Sequence, residues 1–367
     1  MTGQYSRKAR RRQITIEDLA RHLGISKATV SLALNNSSLV ADATKLRVIE
    51  AAEKFGYQPN FFGARLSRGK SDVIGLYIVG GKEEQCNWAL PSSWMFYNPI
   101  LKAVSTELSL HGYRLNLEVV SLERVIQKRV IASVIQEGSL DGMLIVMQDD
   151  TDHGFLNIVV ERKFPFVVLN TMAGANISSV KIDNDLGARK SVNHLIELGH
   201  TRIAYLGGPA RDSNAIERRR GFIKAISEAE LNLDPMLVQY GDWQLSCGQA
   251  AAKKFIELDH PPTAIFCAND HMAIGVMQVL QKAGFRVPHD ISVVGYDDTE
   301  MCQVVVPNLT TVRAPLELMG ALGAREVLRQ IDGEFVGARH TNLEPELVTR
   351  DSSAAAGYRP KQSDQPC

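Results

Sequence analysis

The chain has 367 residues, 45% of them hydrophobic, with 41 Lys plus Arg balanced by 41 Asp plus Glu. That length exceeds one small domain and predicts two or three compact units. The absence of a long apolar run excludes a membrane-spanning helix, and five widely scattered cysteines (Cys86, Cys247, Cys267, Cys302, Cys367) exclude a disulfide framework or a zinc site.

The neutral balance conceals an asymmetry. Residues 1–71 carry 13 Lys and Arg against 5 Asp and Glu, a net of +8, which leaves 28 against 36 and a net of −8 for the remainder. The basic end is where phosphates would be met. Its first stretch, MTGQYSRKARRRQ, lacks the apolar core of a secretory signal, so a cytoplasmic location is expected. Arg7 to Arg12 read as a solvated basic tail that adds sequence-independent affinity.

Residues 15–35, TIEDLARHLGISKATVSLALN, carry the strongest local signal. Thr15 followed by Asp18 marks a helix start, and Leu19, Ala20 and Leu23 fall on one face. Gly24 ends that helix. Ser26 caps the next, which turns Val30, Ala33 and Leu34 inward and leaves Lys27, Ala28, Thr29, Ser31 and Leu32 outward or partly so. Two short helices hinged on a glycine read as a helix-turn-helix, built to place its second helix in a DNA groove. A third helix over 42–55, with Leu46, Ile49, Ala52 and Phe55 at spacings of three, is expected to close a three-helix core, giving a head over 14–58.

A linker over 59–71 follows, with Pro59, two glycines, Arg65, Arg68 and Lys70. From Val73 the pattern changes to apolar runs separated by helical stretches: VIGLYIV, RLNLEVV, GMLIVM and PFVVLN, then RIAYLGG, AIFCAN and ISVVGYDD. Such alternation predicts βαβ units and parallel sheets covered by helices on both faces. The expected core, 72–350, divides near 180–183 into two doubly wound subdomains and crosses back near 312 and 343. A ligand belongs in the crevice at the C-terminal ends of the strands. The polar stretch 351–367 is expected to be a disordered tail.

In their order these parts resemble the LacI/GalR transcriptional regulators, from Gln13 to about Arg350. The residues that carry the resemblance are TIEDLARHLGISKATVSLALN, YQPN with Arg65 and Leu66, LGHTRIAYLGGP, Arg218 to Phe222, and ISVVGYDD followed by LTTVRAP. The resemblance implies an α/β protein: a three-helix head, a hinge helix formed on DNA, and a periplasmic-binding-protein-like core that dimerises and binds a small effector. A two-fold homodimer would read a pseudo-palindromic operator in double-stranded DNA. Lys27, Ala28 and Leu32 occupy base-reading positions, with Lys27 directed at guanine O6 and N7 and Ala28 at a thymine methyl. Thr15, Ser26, Thr29, Ser31, Asn35, Tyr57, Asn60 and Arg65 are the remaining DNA candidates. Leu66 stands at the intercalating position, where it would unstack a step in the minor groove. Leu32 departs from the usual polar residue, and Gly63 and Ala64 from the usual Ala and Arg.

A sugar or polyol effector requires multidentate polar side chains and an aromatic plate. Candidates stand at strand ends: Phe96 and Tyr97 after the long insert Gly80–Ser93, then Asn170, Asn214, Arg218, Trp243, Asn269 and Asp297. The resemblance places all eight at effector-contact positions. Arg218 and Asp297 are suited to vicinal hydroxyls, Trp243 to the apolar sugar face. Asp183 and Asn184 read as helix caps and Asp298 as a loop holder. Ala314 and Leu316 make one wall small and apolar. Effector binding is expected to change the rotation of the subdomains and the spacing of the hinges; relief of repression by a sugar is the commoner pattern the resemblance implies, and the sequence leaves the direction of the response open.

Enzyme and metal readings find little support. Asp149-Asp150-Thr151-Asp152-His153 lacks converging ligands, Gly80-Gly81-Lys82 lacks the phosphate-loop spacing, and neither HExxH nor GxSxG occurs. Asn269-Asp270-His271 reads as a helix start. No catalytic residue, metal or cofactor is expected. The rival reading is a cytoplasmic sugar-binding module, or an enzyme, without operator function.

Overall fold

A computed structural model of the chain describes residues 14–34, 37–57, 70–80, 91–121, 125, 130–147, 153–334 and 337–357. The chain divides into two units, Met1–Ser71 and Asp72–Cys367.

In the first unit Thr15 and Asp18 form a reciprocal cap. The Asp18 amide donates to Thr15 Oγ1 at 3.3 Å, and the Thr15 amide donates to Asp18 Oδ2 at 2.9 Å, opening α1 (Ile16–Leu23). Gly24, at φ 64°, closes it in the left-handed region. Ser26 Oγ accepts the Thr29 amide at 3.0 Å at the start of α2 (Lys27–Leu34). With α3 (Asp42–Phe55) these helices enclose Leu19, Ala20, Val30, Ala33, Val40, Val48, Ala51 and Ala52.

The inward face of α3 differs from the expected one. Leu46 and Ile49 are 62% and 46% exposed, whereas Val48, Ala51 and Ala52 are buried. A strict spacing of three lags the 3.6-residue turn and drifts around the helix, so 46, 49, 52 and 55 cannot share one face. Positions 48, 51, 52 and 55 keep the i, i+3, i+4, i+7 phase that can.

The second unit begins with β1 (Val73–Gly80), α4 (Pro91–Leu110), β2 (Arg114–Ser121), α5 (Val130–Glu137), β3 (Gly142–Met147), α6 (Asn157–Glu161), β4 (Phe166–Leu169) and β5 (Ser179–Ile182). It continues through α7 (Asn184–Glu197), β6 (Ile203–Gly207), α8 (Ser213–Glu228), β7 (Val238–Tyr240), α9 (Leu245–Ile256), β8 (Ala264–Cys267), α10 (Asp270–Lys282) and β9 (Ser292–Val294). It ends with β10 (Thr311–Arg313), α11 (Leu316–Ile331), β11 (His340–Leu343) and β12 (Glu346–Val348).

One sheet has the order β11-β5-β4-β3-β1-β2, with all its pairings parallel; a second, also parallel, has the order β7-β6-β8-β9. The fully buried runs of β3 and β4 carry the continuous apolar pattern of strands covered on both faces. After β5 the chain leaves the first sheet through α7 and builds the second. From β10 it returns to α11 and β11 on the first sheet, and β12 then pairs antiparallel with β10. Close helix packing depends on glycine: a Cβ at Gly320 of α11 would stand 2.7 Å from the Ile100 carbonyl oxygen of α4.

Residues 351–357 are not the disordered tail expected; 358–367 lie outside the described residues. The Val293 amide donates to the Ser352 carbonyl at 2.8 Å, and Ser352 Oγ donates to the Val293 carbonyl at 2.6 Å while accepting the Thr310 amide at 2.8 Å. His200, 3% exposed, has Nε2 3.0 Å from the Ala354 carbonyl and Nδ1 2.9 Å from Thr263 Oγ1, and burial lowers its pKa. This strap satisfies backbone groups of Val293 in β9 and of Thr310, just before β10, that would otherwise be buried unpaired. Ser352→Ala removes both side-chain bonds and orphans the Thr310 amide, so it should cost about 1–3 kcal/mol of stability, read as a lower midpoint at unchanged slope in urea unfolding.

Candidate functional site

In the first unit the caps point α2 so that Lys27, Ala28 and Leu32 are exposed, while Thr29 and Ser31 are half-buried at its flanks. The expected base-reading row is therefore the open face of the helix. Thr15 and Ser26 spend their hydroxyls on helix caps. Tyr57 packs half-buried against the head core. Lys27 Nζ donates to Glu17 Oε1 of α1 at 2.9 Å, a contact between the two helices that the sequence did not signal. Asn35, Asn60, Arg65 and Leu66, and with them the hinge, lie outside the described residues.

In the second unit the candidates on the four-stranded subdomain converge on Arg218, which is 4% exposed and projects from the second turn of α8. Its Nε donates to Asn184 Oδ1 at 2.8 Å, one Nη to the Ala268 carbonyl past the end of β8, and the other to Asp297 Oδ1 at 3.3 Å. The guanidinium carbon stands 3.7 Å from the Tyr296 ring centroid and 5.5 Å from that of Trp243. Asn184 passes the contact on by donating to Asn214 Oδ1 at 2.9 Å. Asn269 caps α10 by accepting the Met272 amide at 3.0 Å, and it donates to the Trp243 carbonyl at 3.0 Å.

Backbone strain accompanies this cluster: Trp243 and Asp297 hold φ values of 70° and 111°. A Cβ on Gly208 would fall on the Trp243 indole, so only glycine lets that ring lie against the backbone after β6. Asn170, Phe96 and Tyr97 belong to the other subdomain. Asn170, at φ 74°, donates to the Met147 carbonyl at 3.2 Å and ties together the C-terminal ends of β3 and β4. Phe96 is half-buried and meets the buried Tyr97 edge-on at 5.3 Å.

Asn184 and Tyr296 belong to the Arg218 cluster, and sequence reasoning missed them. Asp183 alone caps α7, accepting the Leu186 amide at 3.0 Å, which leaves Asn184 free to orient Arg218. Asp298 holds its loop as expected, accepting from Arg313 at 2.8 Å and Arg350 at 2.6 Å. Ala314 and Leu316 are buried.

Burial pushes the Asp297 carboxyl up to about 7, against the opposing pull of Arg218. Three of the five guanidinium N–H groups are taken by protein acceptors, and the 3.3 Å bond to Asp297 is longer than the 2.8 Å bond to Asn184. The pair thus keeps donors and a carboxylate oxygen for a neutral, hydroxyl-rich ligand. Among the described residues no group of three or more His, Cys, Asp or Glu could hold a metal ion, and Cys247, Cys267 and Cys302 are free thiols. Of the acidic stretch 149–153 only His153 is described.

The profile of bacterial regulatory proteins of the lacI family matches residues 15–60, and that of the periplasmic binding protein-like domain matches 192–353. The chain is 31% identical over 340 residues to a probable HTH-type transcriptional repressor, ExuR, of Bacillus subtilis, covering 92% of this chain and 98% of that one. A transcriptional regulator CelR–cellobiose complex superposes with a TM-score of 0.68 at 31% identity, covering 93% of this chain and all of that one. The lac repressor dimer bound to operator and the anti-inducer ONPF superposes at 0.82 with 27% identity, covering 94% and 100%. The chain belongs to the lacI family of bacterial transcriptional regulators, a class of DNA-binding proteins and not of enzymes. No helix among the described residues is long and apolar enough to cross a membrane.

Beneath the site, Asp270 Oδ1 accepts from Thr311 Oγ1 at 2.5 Å and Oδ2 accepts the Thr299 amide at 2.8 Å. Burial raises its pKa from 3.8 to about 6, the hydrogen bonds opposing. A carboxyl that holds its proton more tightly when folded contributes stability below its unfolded pKa and loses it as pH rises through the folded one. Asp270→Asn should therefore flatten the decline in stability between about pH 4 and 6, measured by urea unfolding across that range.

Proposed function

We propose that the protein is a cytoplasmic, homodimeric repressor that binds a pseudo-palindromic operator through its heads and changes affinity when a sugar or polyol enters between the core subdomains. The observation that carries the effector half is the buried Arg218–Asp297 pair, stacked on Tyr296 and flanked by Trp243. Its fork-shaped donors and carboxylate suit vicinal hydroxyls, and the indole suits the apolar face of a sugar. The exposed row Lys27, Ala28 and Leu32 supports the operator half. Relatives bear on both halves, since the CelR structure is described as holding cellobiose and the lac repressor structure as a dimer on operator.

From the second turn of α8, Arg218 joins the start of α7 to the ends of β8 and β9, and α7 begins where the chain leaves β5. An effector that exchanges contacts at Arg218 therefore acts at the crossover about which the subdomains turn. The resulting rotation would change the spacing of the two hinges in the dimer, with Leu66 of each entering the minor groove. Asn170, Phe96 and Tyr97 would close the ligand from the opposite subdomain, with Asn214 and Asn269 completing its polar wall.

Retention of fragmented genomic DNA by the purified protein tests this reading. A few enriched sites sharing a two-fold motif are expected, and the genes beside them supply candidate sugars; a flat profile would overturn it. With such a sugar, operator affinity should shift by roughly 5- to 150-fold in the wild type. Arg218→Lys, which keeps a buried cation beside Asp297 and loses the fork of donors, should bind operator as the wild type does and show a much smaller shift, read by fluorescence anisotropy.

A further inference from the structure

The ion pair between Glu17 and Lys27 is unusual in its place. Lys27 opens the helix whose exposed row would read bases, yet its ammonium is 2.9 Å from a carboxylate on the neighbouring helix. Both side chains are accessible, at 61% and 64% exposure, so the pair forms one surface with two kinds of hydrogen-bonding group. Glu17 does not cap α1, because Asp18 makes the capping box with Thr15. A carboxylate on a face turned toward phosphates is repelled unless a specific donor meets it.

The major groove offers such a donor. A G·C pair presents N7 and O6 as acceptors and then the cytosine N4 amino group as a donor, whereas an A·T pair places an acceptor and a methyl on its thymine side. An ammonium has three N–H groups. With one committed to Glu17 Oε1, two remain for guanine N7 and O6, and the other carboxylate oxygen can accept from cytosine N4. On A·T the same oxygen would face thymine O4, a like-signed partner.

We propose that Glu17 is a specificity-determining residue of the DNA-reading face, accepting from the cytosine of a base pair whose guanine Lys27 contacts. This rests on the operator reading above. Neutralising Lys27 without reading a base would be a different role, and the two predict different patterns across sequences.

Duplexes selected from a random library by the wild-type protein would define the half-site. Dissociation constants at one fixed salt concentration would then be measured for wild type, Glu17→Ala and Lys27→Ala on the selected duplex and on its single-base-pair variants. The expected result is one position per half-site where wild type prefers G·C by about tenfold, a preference that both substitutions reduce to within about twofold while other positions keep theirs. Glu17→Gln, which retains the side-chain shape, should move that position toward T·A, with adenine in the place of cytosine, because an amide pairs with adenine N6 and N7. A Glu17→Ala protein that binds every duplex more tightly, or more weakly, with all base preferences intact would overturn the proposal. Failure of wild type to retain any duplex would instead overturn the operator reading beneath it.

Discussion

A single buried guanidinium organises the core. Taking the Arg218 charge out of water is costly, and three hydrogen bonds, one of them to a carboxylate, and a π-face offset that cost. Those partners come from separate parts of the chain: Asn184 at the start of α7, Ala268 after β8, Tyr296 and Asp297 after β9. Each must be in place for the others to be satisfied, so the strand ends are held at one point. The left-handed backbone at Asp297 is part of the same arrangement, because it turns the carboxylate back toward Arg218. A ligand that replaces any one of these partners perturbs all of them.

The crossover segments β10 and β12 are bound to the same point through neighbouring carboxylates. Asp297 and Asp298 are consecutive, and Asp298 holds Arg313 of β10 and Arg350 just after β12. Asp270, one residue beyond the Asn269 cap, holds Thr311 of β10. The antiparallel pair β10–β12 is thus anchored beside the effector candidates by side chains rather than by strand pairing alone, a direct physical route from the site to the segments that join the subdomains.

Much of this was legible in the sequence where local chemistry determines local structure. Thr15 with Asp18, Gly24 and Ser26 announced the head because caps act within four residues, and the apolar runs announced the strands because sheets covered on both faces exclude polar side chains. The positions of Arg218 and Asp297 came from resemblance, since nothing in the run Glu217 to Arg220 distinguishes an inward arginine from its solvated neighbours. Asn184 was read as a cap because it shares the short polar side chain of Asp183; only the fold places Arg218 within its reach. The strap at 351–357 has the small, polar composition of a loose end, and its order depends on His200, Val293 and Thr310, between about 40 and 150 residues away in sequence. On α3 a spacing of three drifts with the helical turn, so it points inward correctly at Ala52 and Phe55 but not at Leu46 and Ile49.

The discontinuous threading of the core has a consequence for its biogenesis. The edge strand β11 of the first sheet and the strap against β9 of the second both come from the last part of the described chain. A nascent polypeptide that has emerged only as far as β10 contains most of both apolar interiors yet lacks the last strand of the first sheet and the strap along β9 of the second. The two subdomains therefore depend on the same late segment, and a product that stops before it is left with exposed strand edges that invite association with other chains.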